Sequence, residues 1–143
     1  MTPRTKLDWA LHWAARGWRV FPLTRGKKPG AEMTGWQNKA TTDEEQIREW
    51  WARHPDANIG GCTDDRLVGD ADADKGGLIT LEMFQEEFGS WPETQVHITG
   101  GGGRHYIYSG PNGSSPTVKS GDNKWGPAGD IKTGPGSYIV MPG

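Results

Sequence analysis

Apolar side chains at helical spacing predict three amphipathic helices in the first two thirds of the chain. The predicted helices cover residues 6–18, 41–51 and 78–89. Thr41 or Thr42 can cap the second helix, because a hydroxyl oxygen accepts a hydrogen bond from the unpaired amides of a first turn. Gly17 and Gly89 follow the apolar positions of the other two helices and predict where these end.

β-Branched and aromatic residues predict strands, most of them in the second half of the chain. The predicted strands and extended segments are residues 19–23, 66–69, 95–99, 105–109 and 137–142. Residues 54–61 and 110–129 are polar and contain proline and glycine, which predicts loops. Because helices come early and strands predominate late, the pattern indicates an α+β fold around a mixed or antiparallel sheet.

Length and composition predict one compact domain covering residues 1–143. Hydrophobic residues make up only 33%, but eight tryptophans add apolar surface that can be buried. The chain stops abruptly at "VMPG", which also fits a domain cut from a larger protein.

Charge and cysteine content narrow the function classes. The net charge of −2 and the pI near 6.1 do not favour strong nonspecific DNA binding, although they allow a local basic patch. Cys62 is the only cysteine, so there is no disulfide framework or cysteine-rich zinc site, which fits a reducing cytoplasm. No apolar run approaches the roughly 20 residues of a membrane span, and the N-terminus lacks the apolar core of a signal peptide.

The stretch "VGDADADKGG" places three carboxylates at alternate positions. If Asp70 and Asp72 lie on a strand, their side chains share a face, and two such close carboxylates repel unless a cation or proton lies between them. Their hard oxygen atoms favour Mg²⁺, Mn²⁺ or Ca²⁺. A solvated acidic turn is the simpler alternative.

A calcium-binding loop is a second interpretation of the same stretch. With Asp70 at its first position, the glycine required at the sixth position is replaced by Lys75. The glutamate required at the twelfth position is replaced by Leu81, and the preceding segment resembles a strand instead of a helix. The calcium pattern therefore fails at its two most demanding positions.

The stretch "TGGGGRHYIY", residues 99–108, combines four glycines with His105 at the start of a strand. Glycines allow a positive φ and let a ligand approach backbone amides, which suits the phosphates of a nucleotide. A flexible hairpin turn explains the glycines alone equally simply, and an isolated histidine is often structural.

A third candidate segment is "GDIKTGPGSYIVMPG", residues 129–143. Asp130 could be a third metal carboxylate, and Lys132, on the same face of a strand, could neutralise phosphate charge; a surface ion pair is the alternative. A carboxylate pair, a glycine-rich turn with a histidine, and a third acid beside a lysine are together typical of two-metal phosphoryl or nucleotidyl transfer.

The ordered set of motifs resembles the bifunctional primase–polymerase domain of phage and plasmid replication proteins, within the archaeo-eukaryotic primase superfamily. The similarity is collinear over nearly the whole chain. It is carried by "ALHWAARGWRVFPL", "GKKPG", "GW", "ATTDEEQIREWWARHPDANIGG", "RLVGDADADKGG", "HITGGGGRHYIY" and "GDIKTGPGSYIVMPG".

The resemblance implies a role for each motif residue. It implies that Asp70, Asp72 and Asp130 are the metal carboxylates of a two-metal site for Mg²⁺ or Mn²⁺. It further implies that His105 contacts the phosphates of the incoming nucleotide, with Lys132 as a basic residue nearby.

Weaker nucleotide-binding candidates complete this set. They are the backbone amides of Gly101, Gly102 and Gly103, and Lys28 of the basic turn "TRGKKPG". For Lys28 and its neighbour Lys27, a plain basic turn is an equally good interpretation.

The resemblance also implies a fold, partners and a location. The fold would be a compact primase-like core, with an N-terminal helical unit packed on an RRM-like sheet. The partners would be a DNA template and primer, deoxyribonucleoside triphosphates with ribonucleoside triphosphates as an open alternative, and a helicase domain or partner in the parent protein, but no membrane. The location would be the cytoplasm of a bacterial or archaeal host.

The sequence departs from the family pattern in two places. Gly69 and Ala71 are small where the family has bulkier apolar residues, and the glycine-rich turn lacks the serine two residues before the histidine that other branches of the superfamily carry. Asp74 has no assigned counterpart and is expected to be exposed or to support a metal ligand. Two other functions stay open: a catalytically weak nucleotide- or nucleic-acid-binding module, and a calcium-binding structural domain.

Overall fold

The computed structural model describes residues 3–109 and 119–143. Its α-helices are α1 (Lys6–Ala15), α2 (Trp36–Lys39), α3 (Glu44–Arg53) and α4 (Gly77–Phe88), and its 3₁₀ helices are Ala31–Met33 and Ala73–Lys75. Its strands are β1 (Val20–Leu23), β2 (Asn58–Ala71), β3 (Gln95–Ile98), β4 (Arg104–Ser109), β5 (Gly121–Gly126) and β6 (Gly129–Met141). The predicted α+β class is confirmed, and the sheet is antiparallel. Among the helices of the described ranges, none has the length and apolar composition needed to cross a bilayer.

The chain packs as two compact units. The first unit contains Met1–Cys62 and Tyr138–Gly143, and the second contains Thr63–Ser137. Strands β2 and β6 each contribute one end to each unit. The prediction that residues 1–143 form a single catalytic domain stays a prediction.

In the first unit, two helices bury tryptophans. Helix α1 begins with a capping box, in which the Thr5 hydroxyl accepts the Asp8 amide hydrogen and the Asp8 carboxylate accepts the Thr5 amide hydrogen. Helix α3 begins after Asp43, whose carboxylate accepts a hydrogen bond from the Gln46 amide at 3.2 Å. The predicted Thr41 or Thr42 cap is therefore wrong. The Thr41 hydroxyl instead accepts a hydrogen bond from the amide of Asp43, the residue that precedes the first residue of the helix.

Strand β2 begins inside the segment predicted as a loop. Its first residues pair antiparallel with β1, with Val20 opposite Gly61 and Leu23 opposite Asn58. A Cβ atom on Gly60 would lie 2.6 Å from the Phe21 ring, so this glycine allows an aromatic side chain to pack directly on the strand. The prediction of a loop over residues 54–61 is therefore wrong from Asn58 onwards, because close packing explains the glycines.

In the second unit, the strand order is β3-β4-β2-β6-β5. Residues Gly121–Gly126, inside the loop predicted over 110–129, form strand β5 and pair antiparallel with β6. The loop prediction is wrong for this part, and residues 110–118 lie outside the described residues. The pairing of β5 with β6 has an irregular register between Gly121 and Gly126.

An aromatic cluster lies between α4 and the sheet. Phe84 of α4 contacts Trp91 and Trp125, and Trp91 also packs edge-on against Tyr106. A Cβ atom on Gly69 would lie 2.8 Å from the Trp91 ring. Trp91 thus occupies the space that a bulkier residue would fill at position 69, which accounts for this departure from the family pattern.

Candidate active site

Asp70 and His105 face each other across two neighbouring strands. They are directly opposite in the β2–β4 register, and the Asp70 Oδ1 atom lies 3.3 Å from the His105 Nε2 atom. The His105 side chain is only 9% exposed and that of Asp70 is 18% exposed. Because residues directly opposite on adjacent strands project from the same face, the sheet register brings the first and second predicted motifs together.

His97 extends this pair to a third strand. It lies directly opposite His105 in the β3–β4 register and is 5% exposed. Burial, and next the nearby His105, lower the pKa of His97 from its ordinary 6.5 to about 4. Asp70, His105 and His97 therefore form a row across three strands, in which both histidines are buried, Asp70 is partly buried and His97 is neutral at physiological pH.

Sequence reasoning missed His97, although a signal was present. The glycine-rich turn lies midway between His97 and His105, so a hairpin centred on it places the two histidines opposite each other.

One nitrogen of His105 is buried without a protein partner. Nε2 faces Asp70, while Nδ1 makes no hydrogen bond with any residue in the described ranges. Buried polar atoms in proteins nearly always have a partner, which can be water or a ligand. The ring therefore has unused hydrogen-bonding capacity beside the predicted metal carboxylates.

Asp130 lies on β6, next to β2 in the sheet. The Asp72 amide donates a hydrogen bond to the Ala128 carbonyl oxygen at 3.2 Å, and the Thr133 hydroxyl donates to the Arg66 carbonyl oxygen at 2.6 Å. In antiparallel strands these two contacts place Asp130 at the level of Asp70. The backbone thus brings all three predicted motifs to one stretch of the sheet.

The three predicted metal carboxylates each have one oxygen atom engaged by the chain. The partners are His105 Nε2 for Asp70, the Asp74 amide for Asp72 at 3.0 Å, and the Asn123 amide for Asp130 at 2.9 Å. The second oxygen atom of each accepts no hydrogen bond from the described residues. Hard, available oxygen donors of this kind suit Mg²⁺ or Mn²⁺.

The side chains do not converge on one point in this conformation. Within residues 3–109 and 119–143, no three His, Cys, Asp or Glu side chains lie close enough to hold one ion. The donor chemistry and the backbone placement fit a metal site, while the ligand set Asp70, Asp72 and Asp130 stays a prediction.

The glycine-rich turn packs on the end of β2. The Gly102 amide donates to the Thr99 carbonyl oxygen at 2.9 Å, and the turn places Gly102 at a φ of 83°. A Cβ atom on Gly103 would lie 2.5 Å from the carbonyl oxygen of Ala71, the residue between the predicted metal ligands Asp70 and Asp72. Close packing therefore explains Gly103, and hairpin geometry explains Gly102. Amide contacts from Gly101, Gly102 and Gly103 to a nucleotide stay predictions.

The two predicted lysines differ in their surroundings. Lys132 is two residues beyond Asp130 on β6, and its Nζ atom lies 3.9 Å from an oxygen of the 79% exposed Asp122. An ion pair that is this exposed contributes little to the stability of the fold, and it leaves Lys132 available to another anion. Lys28 is exposed in the first unit, where its backbone pairs with Arg25. The structure thus places Lys132 beside Asp130 and Lys28 in a separate packed unit.

The third acid of the D-x-D-x-D stretch lies outside this arrangement. Asp74 is exposed in the 3₁₀ helix Ala73–Lys75, and Asp72 caps this helix by accepting the Asp74 amide hydrogen. Leu81, at the position where a calcium loop needs glutamate, is 3% exposed in the core. The segment before Asp70 is strand β2 instead of a helix. These observations agree with the failure of the calcium-loop pattern at its most demanding positions.

A family described as bifunctional DNA primase/polymerase, N-terminal, matches residues 10–143. No curated protein matches the sequence at a significant level.

Proposed function

The chain belongs to the bifunctional DNA primase/polymerase N-terminal family, and on this premise we propose that it catalyses templated nucleotidyl transfer. The substrates are a DNA template with a primer and deoxyribonucleoside triphosphates, as the family indicates for DNA and nucleotides. The reaction takes place in the cytoplasm of a host cell, as part of phage or plasmid replication. A helicase domain or partner in the parent protein would supply single-stranded template.

The observation that carries this proposal is the meeting of three sequence-distant motifs. Asp70 faces His105 across β2 and β4, and the β2–β6 contacts bring Asp130 to the same level. These residues are separated by up to sixty positions in the chain, so their proximity is a property of the fold. A carboxylate facing a buried imidazole, with a second carboxylate at the same level of the sheet, supports phosphoryl-transfer chemistry more than it supports a surface acid cluster.

Asp70, Asp72 and Asp130 would hold two divalent ions through their available carboxylate oxygens. When bound, the ions lower the pKa of the primer 3′-hydroxyl and stabilise the leaving pyrophosphate. Asp70 and Asp72 contribute from the end of β2, and Asp130 contributes from the neighbouring strand.

His105 and Lys132 would bind the triphosphate. With a proton on both ring nitrogens, His105 would donate from Nε2 to Asp70, which fixes the ring, and from its unpartnered Nδ1 atom to a phosphate oxygen. Lys132 adds positive charge on the strand that carries Asp130. Gly101, Gly103 and Lys28 are weaker candidates for further contacts to phosphate or template.

Primer extension by the purified protein tests the proposal. The assay contains a labelled primer on a DNA template, deoxyribonucleoside triphosphates, and Mg²⁺ or Mn²⁺. We expect extension by the native protein, and a loss of several orders of magnitude in Asp70→Ala or Asp72→Ala, because each removes a metal ligand. Asp74→Ala is the matched control, since it removes a neighbouring exposed acid that holds no ion. Full activity in Asp70→Ala would refute the assignment.

The role of His105 needs a separate measurement. We expect His105→Ala to weaken the binding of a nucleoside triphosphate while Mn²⁺ binding stays nearly unchanged. Nucleotide affinity equal to that of the native protein would remove His105 from the phosphate site. Binding of DNA and nucleotide with no incorporation under any metal would favour a non-catalytic binding module instead.

A further inference from the structure

Asn123 has an unusual backbone conformation next to the predicted metal site. Its φ is 52°, a region that few non-glycine residues adopt, although asparagine tolerates it better than most. Ala128, at the end of the same hairpin, has a φ of 58°. Backbone conformations of this kind persist where the surrounding structure enforces them, and they cluster at functional sites.

Asn123 makes two hydrogen bonds that join the hairpin to Asp130. Its backbone amide donates to the Asp130 Oδ1 atom at 2.9 Å, and its side-chain Oδ1 atom accepts the Ala128 amide hydrogen at 2.8 Å. The Ala128 carbonyl oxygen in turn accepts the Asp72 amide hydrogen at 3.2 Å. A continuous chain of hydrogen bonds therefore connects the Asp130 carboxylate to the backbone of Asp72 through Asn123.

A separate contact holds the backbone of Asp130. The Trp125 indole nitrogen donates to the Asp130 carbonyl oxygen at 3.0 Å, while Asn123 alone, among the described residues, donates to the carboxylate. Trp125 therefore fixes the position of the main chain, and Asn123 fixes the direction of the side chain.

We propose that Asn123 is a positioning residue for the carboxylate of Asp130. It binds one carboxylate oxygen and leaves the other for a divalent ion, which limits the orientations that the carboxylate can adopt. Groups that hold a metal-binding carboxylate in this way raise the affinity of the site. The inference rests on the proposed metal role of Asp130 and adds to it a residue outside the matching motifs.

Asn123→Gly tests this role with little backbone strain. Glycine accepts the positive φ and keeps the amide that bonds Asp130, so the variant removes only the side-chain bond to Ala128. Titration with Mn²⁺ alone, followed by the electron paramagnetic resonance of free Mn²⁺, measures affinity without catalysis. We expect about tenfold weaker binding, the lower end for the loss of a group that supports a metal ligand. Amide exchange at Ala128 should accelerate in the same variant.

Two further variants separate the effect of the Asn123–Ala128 hydrogen bond from effects of strand flexibility and charge. Lys124→Gly adds a glycine to the same strand and removes a positive charge, which alone can only favour a cation. An equal loss of Mn²⁺ affinity in Lys124→Gly would therefore indicate strand flexibility and overturn the role of Asn123. Asn123→Asp keeps the acceptor for Ala128 and should bind Mn²⁺ at least as tightly as the native protein.

Asp130→Ala distinguishes this inference from the proposed function. If Asp130→Ala loses Mn²⁺ binding while Asn123→Gly keeps native affinity, the positioning role alone is wrong. If Asp130→Ala itself binds Mn²⁺ like the native protein, the metal role of Asp130 fails and the positioning role falls with it.

Discussion

Alanine substitutions at three adjacent glycines should give three different free energies of unfolding. The residues are Gly101, Gly102 and Gly103 in the turn between β3 and β4. The chemical change is the same in each case, so any difference reports the local geometry. The comparison also separates a packing role for these glycines from a nucleotide-binding role.

The magnitudes follow from the surroundings of each residue. A Cβ atom on Gly103 would lie 2.5 Å from the Ala71 carbonyl oxygen. This clash is with backbone and should cost roughly 1–3 kcal/mol. Gly102 has open space but a φ of 83°, so alanine there should cost about 1–2 kcal/mol through strain. At Gly101 a new Cβ atom would make an ordinary contact at 3.4 Å with Asp74. Stability there should stay constant or rise by up to about 1 kcal/mol.

Urea unfolding followed by tryptophan fluorescence measures the three values. The expected order of destabilisation has Gly101→Ala as the mildest and Gly103→Ala as the most severe or equal to Gly102→Ala. A loss in Gly101→Ala as large as that in Gly103→Ala would refute the reasoning. Nucleotide titration of the stable Gly101→Ala variant completes the test, because weaker binding there would indicate an amide contact with phosphate instead of a packing role.

Three further predictions concern buried and capping groups. The pKa of His97 is lowered from 6.5 to about 4, so the unfolded chain binds a proton that the folded protein excludes. Stability should therefore fall as the pH drops from about 6.5 to about 4. The urea midpoint of His97→Leu should fall less over this pH range, and a fall as large as that of the native protein would contradict the prediction. Gly69→Ala should cost roughly 1–3 kcal/mol against the Trp91 ring, with a smaller cost in a Trp91→Leu background; additive costs in this double-mutant cycle would contradict the contact. Asp43→Ala should cost about 1 kcal/mol in urea unfolding by removing the α3 cap, whereas an equal loss in Thr42→Ala would indicate a different cap.

The sequence allowed the helices to be predicted better than the strands. Periodicity locates α1 and α3, because each buries a stripe of its surface. It also locates α4, although only Gly77 and Leu81 of that helix are buried. The α3 cap was misassigned by one or two residues, since Thr41, Thr42 and Asp43 all have suitable side chains and only the backbone path selects among them.

The missed strands have a common physical cause. Gly60 and Gly61 read as loop residues, yet in the fold a Cβ on Gly60 would meet Phe21 and one on Gly61 would meet Met141. The partner that makes glycine necessary is far along the chain, so local composition cannot reveal it. Strand β5 is stabilised by pairing with β6 and has no hydrophobic alternation of its own.

For the candidate site, residue types were easier to predict than contacts. The carboxylates and His105 follow from motif chemistry and the family resemblance, but the pairing of Asp70 with His105 depends on the register of β2 and β4. The proposed role of Asn123 could not be predicted from the sequence, because it depends on a positive φ and on hydrogen bonds within an irregular hairpin.

The division of β6 between the two units sets an order for folding during synthesis. Residues 138–143 belong to the first unit, where Ile139 and Met141 are buried. A ribosome releases the chain from its N-terminus, and domains commonly fold in that direction. Here the first unit cannot complete its core until the whole of Thr63–Ser137 has been made. Until residues 138–143 have been made, the first unit lacks the buried side chains of Ile139 and Met141. The middle of the chain can therefore reach its packed state before the first unit is complete.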